Sequence, residues 1–454
     1  MHRTDNNDTM RSPVGNPNRI LSLALAAVLV MTPVASVHAD LGTPTNVPGI
    51  AKPVIVVSGQ VRAAESWTSN FVYLLRGAVF VEEGATLNIQ AGTLVVGEAG
   101  SVGTLIVKRG GRLNAIGTRD QPIVFTSDQP VGSRARGDWG GIIINGRAPL
   151  NIPGGEGVGE ADTGVYGGND PNDNSGSLRY VRVEFAGTEF SPDNELNGIA
   201  FQGVGRGGSY DYIQIHMNKD DGLEWFGGTA DMKHAVVTNA ADDSTDWTFG
   251  WSGRMQFVVV SQRGDDADAG IEADNNEFNN ELLPRSNPTI FNVTYCGDPD
   301  RNEGAESQRG MLLRRGTAGT IRNFVIQGFK NVGLEVNGTS TLTQATQRNL
   351  KVSNGVIFNT GANGTTYGPA STLALFSNGT FPDVRLGQNP GIGDCHNHPN
   401  PVWQPPSVDS LAGGQVAPAI PPNDGFFEVT SYLGGVAPAP ADDWTRGWTS
   451  FPQR

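Results

Sequence analysis

Carboxylates recur in this sequence at a fixed interval. Asp220-Asp221 and Glu224 are followed, 22 residues on, by Asp242-Asp243 and Asp246. A further pair, Asp265-Asp266, arrives one residue late, and Glu272 follows at wider spacing. If each interval is one turn of a coil, Asp246 lies above Glu224 at the normal strand spacing of about 4.8 Å. Two carboxylates at that distance repel by roughly 3–4 kcal/mol at an effective dielectric near 20. Such a stack needs compensation. Calcium supplies it with six to eight oxygen ligands, and the candidate ligands are Asp220, Asp221, Glu224, Asp242, Asp243, Asp246, Asp265 and Asp266. A shared proton supplies it too and raises one pKa, as in acid/base dyads. The bland solutions are a structural ladder of hydrogen-bonded turns, or neighbouring cations such as Lys219, Lys233, Arg254 and Arg263. Glycoside hydrolysis needs two carboxylates about 5–9.5 Å apart, and adjacent coils can hold Asp221, Asp243 and Asp265 that way. His216 and His234 lie within one coil of the acids, and Arg314-Arg315 is a loose basic pair.

Aromatics offer a different chemistry. Phe226, Trp251 and Trp139, with Trp403, can stack on sugar rings if exposed; the competing role is sealing a core. Cys296 and Cys395 are the only cysteines. In an oxidising compartment they can close a loop of about 100 residues, or remain two unrelated thiols. Gly203 to Gly208 matches a GxGxxG string, but no βαβ unit follows, so it reads as a turn. No nucleophile elbow, P-loop or HExxH motif is present. The net charge is −14, from 46 acidic and 32 basic residues. With no basic patch, nucleic-acid binding is excluded.

The elements that position these groups follow from the same interval. Tyr210–Asp231 and Met232–Gly253 align with a shift of 22, which also places Trp225 on Trp247 and Ile215 on Val237. Apolar runs such as IQI, VVV, FVI and LEV are short, rich in Val and Ile, and bounded by turn residues. The 61 glycines punctuate them. This predicts an all-β single right-handed parallel β-helix of about 22 residues per coil. Alternation sends Leu223 and Trp225 inward and Gly222, Glu224 and Phe226 outward. Short strands with glycine turns continue the pattern through residues 79–146, and residues 151–176 read as an excursion loop. The expected division is a signal peptide over 1–39, the β-helix over 40–385, a Gly/Pro-rich loop or linker over 386–425, and an aromatic segment over 426–454 capping the open end.

The segments GDWGGIIINGRAPLN, DNSGSLRYVRVEFAG, NELNGIAFQGVGRGGSYDYIQIHMNKDDGLEWFGGT, DDSTDWTFGWSGRMQFVVV, IEADN and PRSNPTIFNVT, and the ending SYLGG…DDWTRGWTSF, resemble a family of secreted or envelope-associated β-helix proteins of Gram-negative bacteria. Its members carry no assigned activity. The resemblance implies one right-handed parallel β-helix and export, and it transfers no catalytic residue. The expectation is an exported protein, in the periplasm, on the outer-membrane surface or outside the cell. It binds a polysaccharide or envelope partner, with calcium at the acidic ladder, and its mature chain has no membrane span. A polysaccharide hydrolase or lyase and an architectural surface protein remain open.

Overall fold

The computed structural model describes residues 40–47, 50–191, 194–299 and 306–454; the expected leader lies outside the described residues. Strands stack in parallel in three lanes. The first two lanes share long strands: Ser209–His216, Met232–Thr238, Arg254–Ser261, Thr289–Cys296, Gly319–Gln327 and Leu350–Phe358. Each is bent in its middle by one residue of positive φ, which the register skips: Asp211 pairs with Lys233, and Ile213 with Ala235. The third lane is built from short strands, among them Ile199–Gln202, Leu223–Phe226, Thr245–Thr248, Ala269–Ala273, Arg309–Leu313 and Val332–Val336. The result is a right-handed parallel β-helix. The 22-residue interval is realised where Tyr210 pairs with Met232 and Leu223 with Thr245.

The bend residues form a column of their own. Tyr180, Tyr212, His234 and Phe257 come first, then Asn292, Asn323 and Asn354, all with φ between 49° and 61°. Asparagine tolerates this left-handed conformation, whereas an aromatic residue is strained there. The aromatic members offset that cost by stacking, with ring centroids 4.3 Å apart for Tyr180–Tyr212, 4.3 Å for Tyr212–His234 and 4.9 Å for His234–Phe257.

The interior is a continuous apolar core. Leu223 and Trp225 point into it, and Trp225 stacks on Trp251 at 4.7 Å and on Phe201 at 5.5 Å. Each large apolar side chain so buried contributes roughly 1.5–3 kcal/mol. Asp40–Leu41 pairs antiparallel with Val54–Val61 and covers the first edge. At the other end, helix Thr339–Thr346 packs on the strand Leu350–Phe358 and helix Ala370–Ser377 packs on Val332–Val336. Among the described residues no helix is long and apolar enough to cross a membrane.

The C-terminal residues do not cap the open end. They run as a strap along the outer face of the second lane, because that face offers an apolar stripe (Val236, Val259, Val325, Val356) that the strap covers with Trp403, Leu433, Val436 and Trp448. The asparagine column pins it: Asn323 Nδ2 donates to the Ala419 carbonyl at 2.9 Å, and the Ala419 N–H donates back to Asn323 Oδ1 at 2.7 Å. Asn292 Nδ2 donates to the Tyr432 carbonyl at 3.1 Å. Cys296 and Cys395 are joined, with Cα atoms 6.3 Å apart, stapling the strap to the coil.

Candidate functional site

One outward column of the third lane carries the acids. Its register runs Ile106, Ile143, Ala200, Glu224, Asp246, Glu272, Leu312, Glu335. Asp221 and Asp243 sit at the corner just before it. That corner is tight: a Cβ on Gly222 would lie 2.7 Å from the Ser244 carbonyl oxygen. Two corner acids brace the next coil. The Asp243 N–H donates to Asp221 Oδ1 at 2.9 Å, and the Ala269 N–H donates to Asp243 Oδ1.

Those bonds do not neutralise the cluster. Carboxylate oxygens of Asp220, Asp221 and Asp242 lie within 4.8 Å of one another, as do those of Asp221, Glu224 and Asp246, and those of Asp242, Asp243 and Asp268. Glu224 accepts from Asn197 Nδ2 at 2.5 Å. Arg314 donates to Glu272 and, at 2.9 Å, to Asp274; Arg315 donates to Asp274 at 2.6 Å. Asp246 Oδ1 is shut off from solvent with no donor, and so are Asn197 Oδ1 and Asn218 Oδ1.

Burial is the first cause of every pKa shift here, and neighbouring carboxylates add to it. Asp220, Asp221, Glu224, Asp243 and Asp246 are all held well above the ordinary carboxylate range. Asp242, at the rim, is pushed up to about 6, by burial and then by Asp268. Glu272 is pushed up to about 7 by burial, against the opposing pull of Arg314. The excursion loop adds Glu160, raised to about 7 by burial and then by Glu195.

Several expected residues lie elsewhere. Asp265 and Asp266 are exposed and paired with Arg136, with Lys219 also 3.8 Å from Asp266. The turn after Arg254–Ser261 is longer than its predecessor, so register resumes only at Ile271 and Glu272. Neither acid stacks on Asp243; Asp268 joins the Asp242–Asp243 group, and Glu272 pairs with Asp246. Phe226, Trp139 and Trp251 are no sugar platform. Trp139 and Trp251 are fully buried, with indole N–H groups donating to the Glu184 and Ala230 carbonyls at 2.8 and 3.1 Å. Phe226 packs in an apolar cluster with Leu150 and Tyr166 under the excursion loop. Trp403, part of the strap, is buried against the coil, its indole N–H donating to the Val260 carbonyl at 2.9 Å. His216 faces the strap, bonded to the Pro452 carbonyl at 2.7 Å, and burial lowers its pKa to about 4. Lys233 and Arg254 pair with Glu428 and with Asp231 and Asp424. The cations that do reach the acids are Arg314 and Arg315, on Glu272 and Asp274, and Arg309, on Asp268 at 2.8 Å and Glu335 at 3.1 Å. Sequence reasoning passed over Asp268, Asp274 and Glu160 as site members. The motif IEADN carried a signal for Asp274, whereas Glu160 sits in an aperiodic loop that gave none.

Fold and site together define a parallel β-helix with a cluster of buried carboxylates on its third lane. Residues 59–380 match the family described as pectate-lyase like beta helix domain. The chain belongs to that family. No curated protein and no solved structure matches it.

Proposed function

We propose that this is an exported, non-enzymatic protein that binds calcium in the acidic cluster and uses that face to hold a polysaccharide or other envelope polymer. The observation that carries the reading is Asp246 Oδ1, shut from solvent and without a donor between Glu224 and Glu272. A proton, a cation or a bridging water can sit between facing carboxylates, and only the first two cancel their charge. Two oxygens each 2.3–2.6 Å from one calcium are at most about 5 Å apart, and the oxygen groups around Asp221, Glu224 and Asp246 meet that limit. The unpartnered Asn197 and Asn218 amide oxygens are ligands of the type calcium takes. At the solvent-exposed rim by Asp242, sugar hydroxyls or carboxylates can complete the shell. Membership of a pectate-lyase-like family supports a polysaccharide as the polymer.

A second reading has its own support. Glu272, poised near 7 beside Arg314, suits general acid/base work in a hydrolase or lyase. Calorimetric titration of EDTA-stripped protein with Ca²⁺, for wild type and Asp246→Asn, tests the first. Heat of binding confined to the wild type is the expected result, and no binding to either sinks it. Reducing ends and unsaturated-sugar absorbance on a polysaccharide panel test the second. Turnover abolished by Glu272→Gln would replace the non-enzymatic reading with an enzymatic one.

A further inference from the structure

On a protein of net charge −14, one surface pocket of about 430 Å³ has no acidic residue in its lining. Its cations are Arg285, Arg348 and Lys351, joined by Thr289, Thr320 and Gln344. It opens on the first lane, away from the acidic column. Two of the cations are held in place: Arg285 donates to the Asn280 carbonyl at 2.8 Å and pairs with Glu281, and Arg348 donates to the Gly379 carbonyl at 3.0 Å. Lys351 is exposed and forms no ion pair among the described residues.

The pocket is one end of a lane. Register places Arg254, Thr289, Thr320 and Lys351 in a single column. Three strand steps make it about 14 Å long. Its far end runs into a second pocket of about 400 Å³, where Arg254 and Lys233 are offset by Asp231 and Asp424 beside the ring of Phe426. Polar side chains repeating at the strand spacing, neutral at one end and cationic at the other, fit a chain of sugar rings better than a lone ion.

We propose that this lane binds an acidic polysaccharide, with a carboxylate or sulfate of the sugar chain seated between Lys351, Arg348 and Arg285. The proposal rests on the polysaccharide reading above but not on the calcium site. Lys351 supplies the mobile charge. Arg348 adds a fixed positive potential that the overall acidity of the chain otherwise denies to anions, and Arg285, its charge offset by Glu281, adds polar lining.

The experiment measures binding of oligogalacturonate, dextran sulfate, neutral dextran and inorganic sulfate to the full chain in EDTA. The variants are Lys351→Glu, Lys351→Met, Thr320→Val and, as a control for the same charge reversal elsewhere, Lys52→Glu at an exposed lysine of the first coil. One or both anionic polymers should bind, more weakly as salt rises. Lys351→Glu should weaken binding about tenfold or more, the scale of one charge-assisted hydrogen bond. Lys52→Glu should leave it unchanged. If Lys351→Glu lowers the thermal midpoint, the Met variant carries the comparison. Equal binding of neutral and anionic polymers, or wild-type affinity in both Lys351 variants, overturns this proposal alone. Inorganic sulfate binding as tightly as the polymers overturns the sugar-chain assignment. Failure of every polymer to bind, with and without Ca²⁺, overturns this proposal and the polysaccharide reading together.

Discussion

Replacing Asp246 with Asn perturbs the acidic cluster in opposite directions with and without metal. Asp246 shares one group with Asp221 and Glu224, oxygens within 4.8 Å. Two unit charges at that distance repel by roughly 3.5 kcal/mol at an effective dielectric near 20. Proton uptake limits the cost, since all three carboxyls are held well above their ordinary range. Each unit of such a shift is about 1.4 kcal/mol. Removing the Asp246 charge should therefore stabilise the metal-free protein by about 1–3 kcal/mol. For 454 residues the unfolding entropy is roughly 1 kcal/mol per kelvin, so the midpoint rises by about 1–3 °C. Calcium at a hundredfold excess over its dissociation constant stabilises the wild type by about 2.7 kcal/mol, or about 3 °C on the same scale. With Asp246 as a central ligand, as proposed, the variant should gain little. Scanning calorimetry in EDTA and in excess Ca²⁺ should thus show the two midpoints exchanging order. An Asp246→Asn protein that is less stable in EDTA and keeps the full calcium shift would refute the reasoning.

The same groups set a pH dependence. Asp242 rises to about 6, and Glu272 and Glu160 to about 7. Raised carboxyls keep protons in the folded chain that the unfolded chain has released. Metal-free stability should therefore be greatest near pH 4 and decline as the pH climbs through 6 to 7. Urea unfolding in EDTA measures that slope, and saturating calcium should flatten it. Cys395→Ser opens a link spanning 99 residues and should cost about 2–5 kcal/mol. Hydrogen exchange should quicken in the strap first, and equal quickening throughout the coil would contradict its role as a staple. Trp139→Ala and Trp251→Ala should each cost about 3–5 kcal/mol in unfolding experiments. Polymer affinity per folded molecule should not change; a selective loss of affinity would restore their role as a sugar platform.

The coil was legible because its period is written twice without interruption. Trp225 over Trp247 and Glu224 over Asp246 follow from a shift of 22, and alternation alone sends Trp225 in and Glu224 out. The period stops being readable where turns change length. Glu272 pairs with Asp246 across a longer connection, and Leu312 pairs with Glu272 across one longer still, so counting residues put Asp265 on the wrong rung. Burial was the other blind spot. A tryptophan beside a glycine turn has the same sequence whether it lines a groove or fills the coil, the two readings open for Trp251, which fills the coil. The strap was misplaced for a related reason. Its aromatics announced a buried surface, but the stripe they cover is assembled from single valines of separate coils, Val236, Val259, Val325 and Val356.

Parallel stacking brings equivalent positions together at one strand spacing, whatever they carry. For the aromatic bend residues that proximity is favourable, and for the asparagines it builds a row of pegs. For carboxylates it is costly, and the protein confines the cost. Below Glu224 the outward column is apolar, Ile106, Ile143 and Ala200, under the excursion loop; above Glu272 it turns to Leu312, and Arg314 reaches back to hold Glu272. Glu224 has an amide donor and Glu272 a guanidinium, while Asp246 between them keeps an oxygen with neither. The cation proposed for this cluster would touch the most carboxylates at that middle rung, where oxygens of Asp221, Glu224 and Asp246 lie within 4.8 Å of one another.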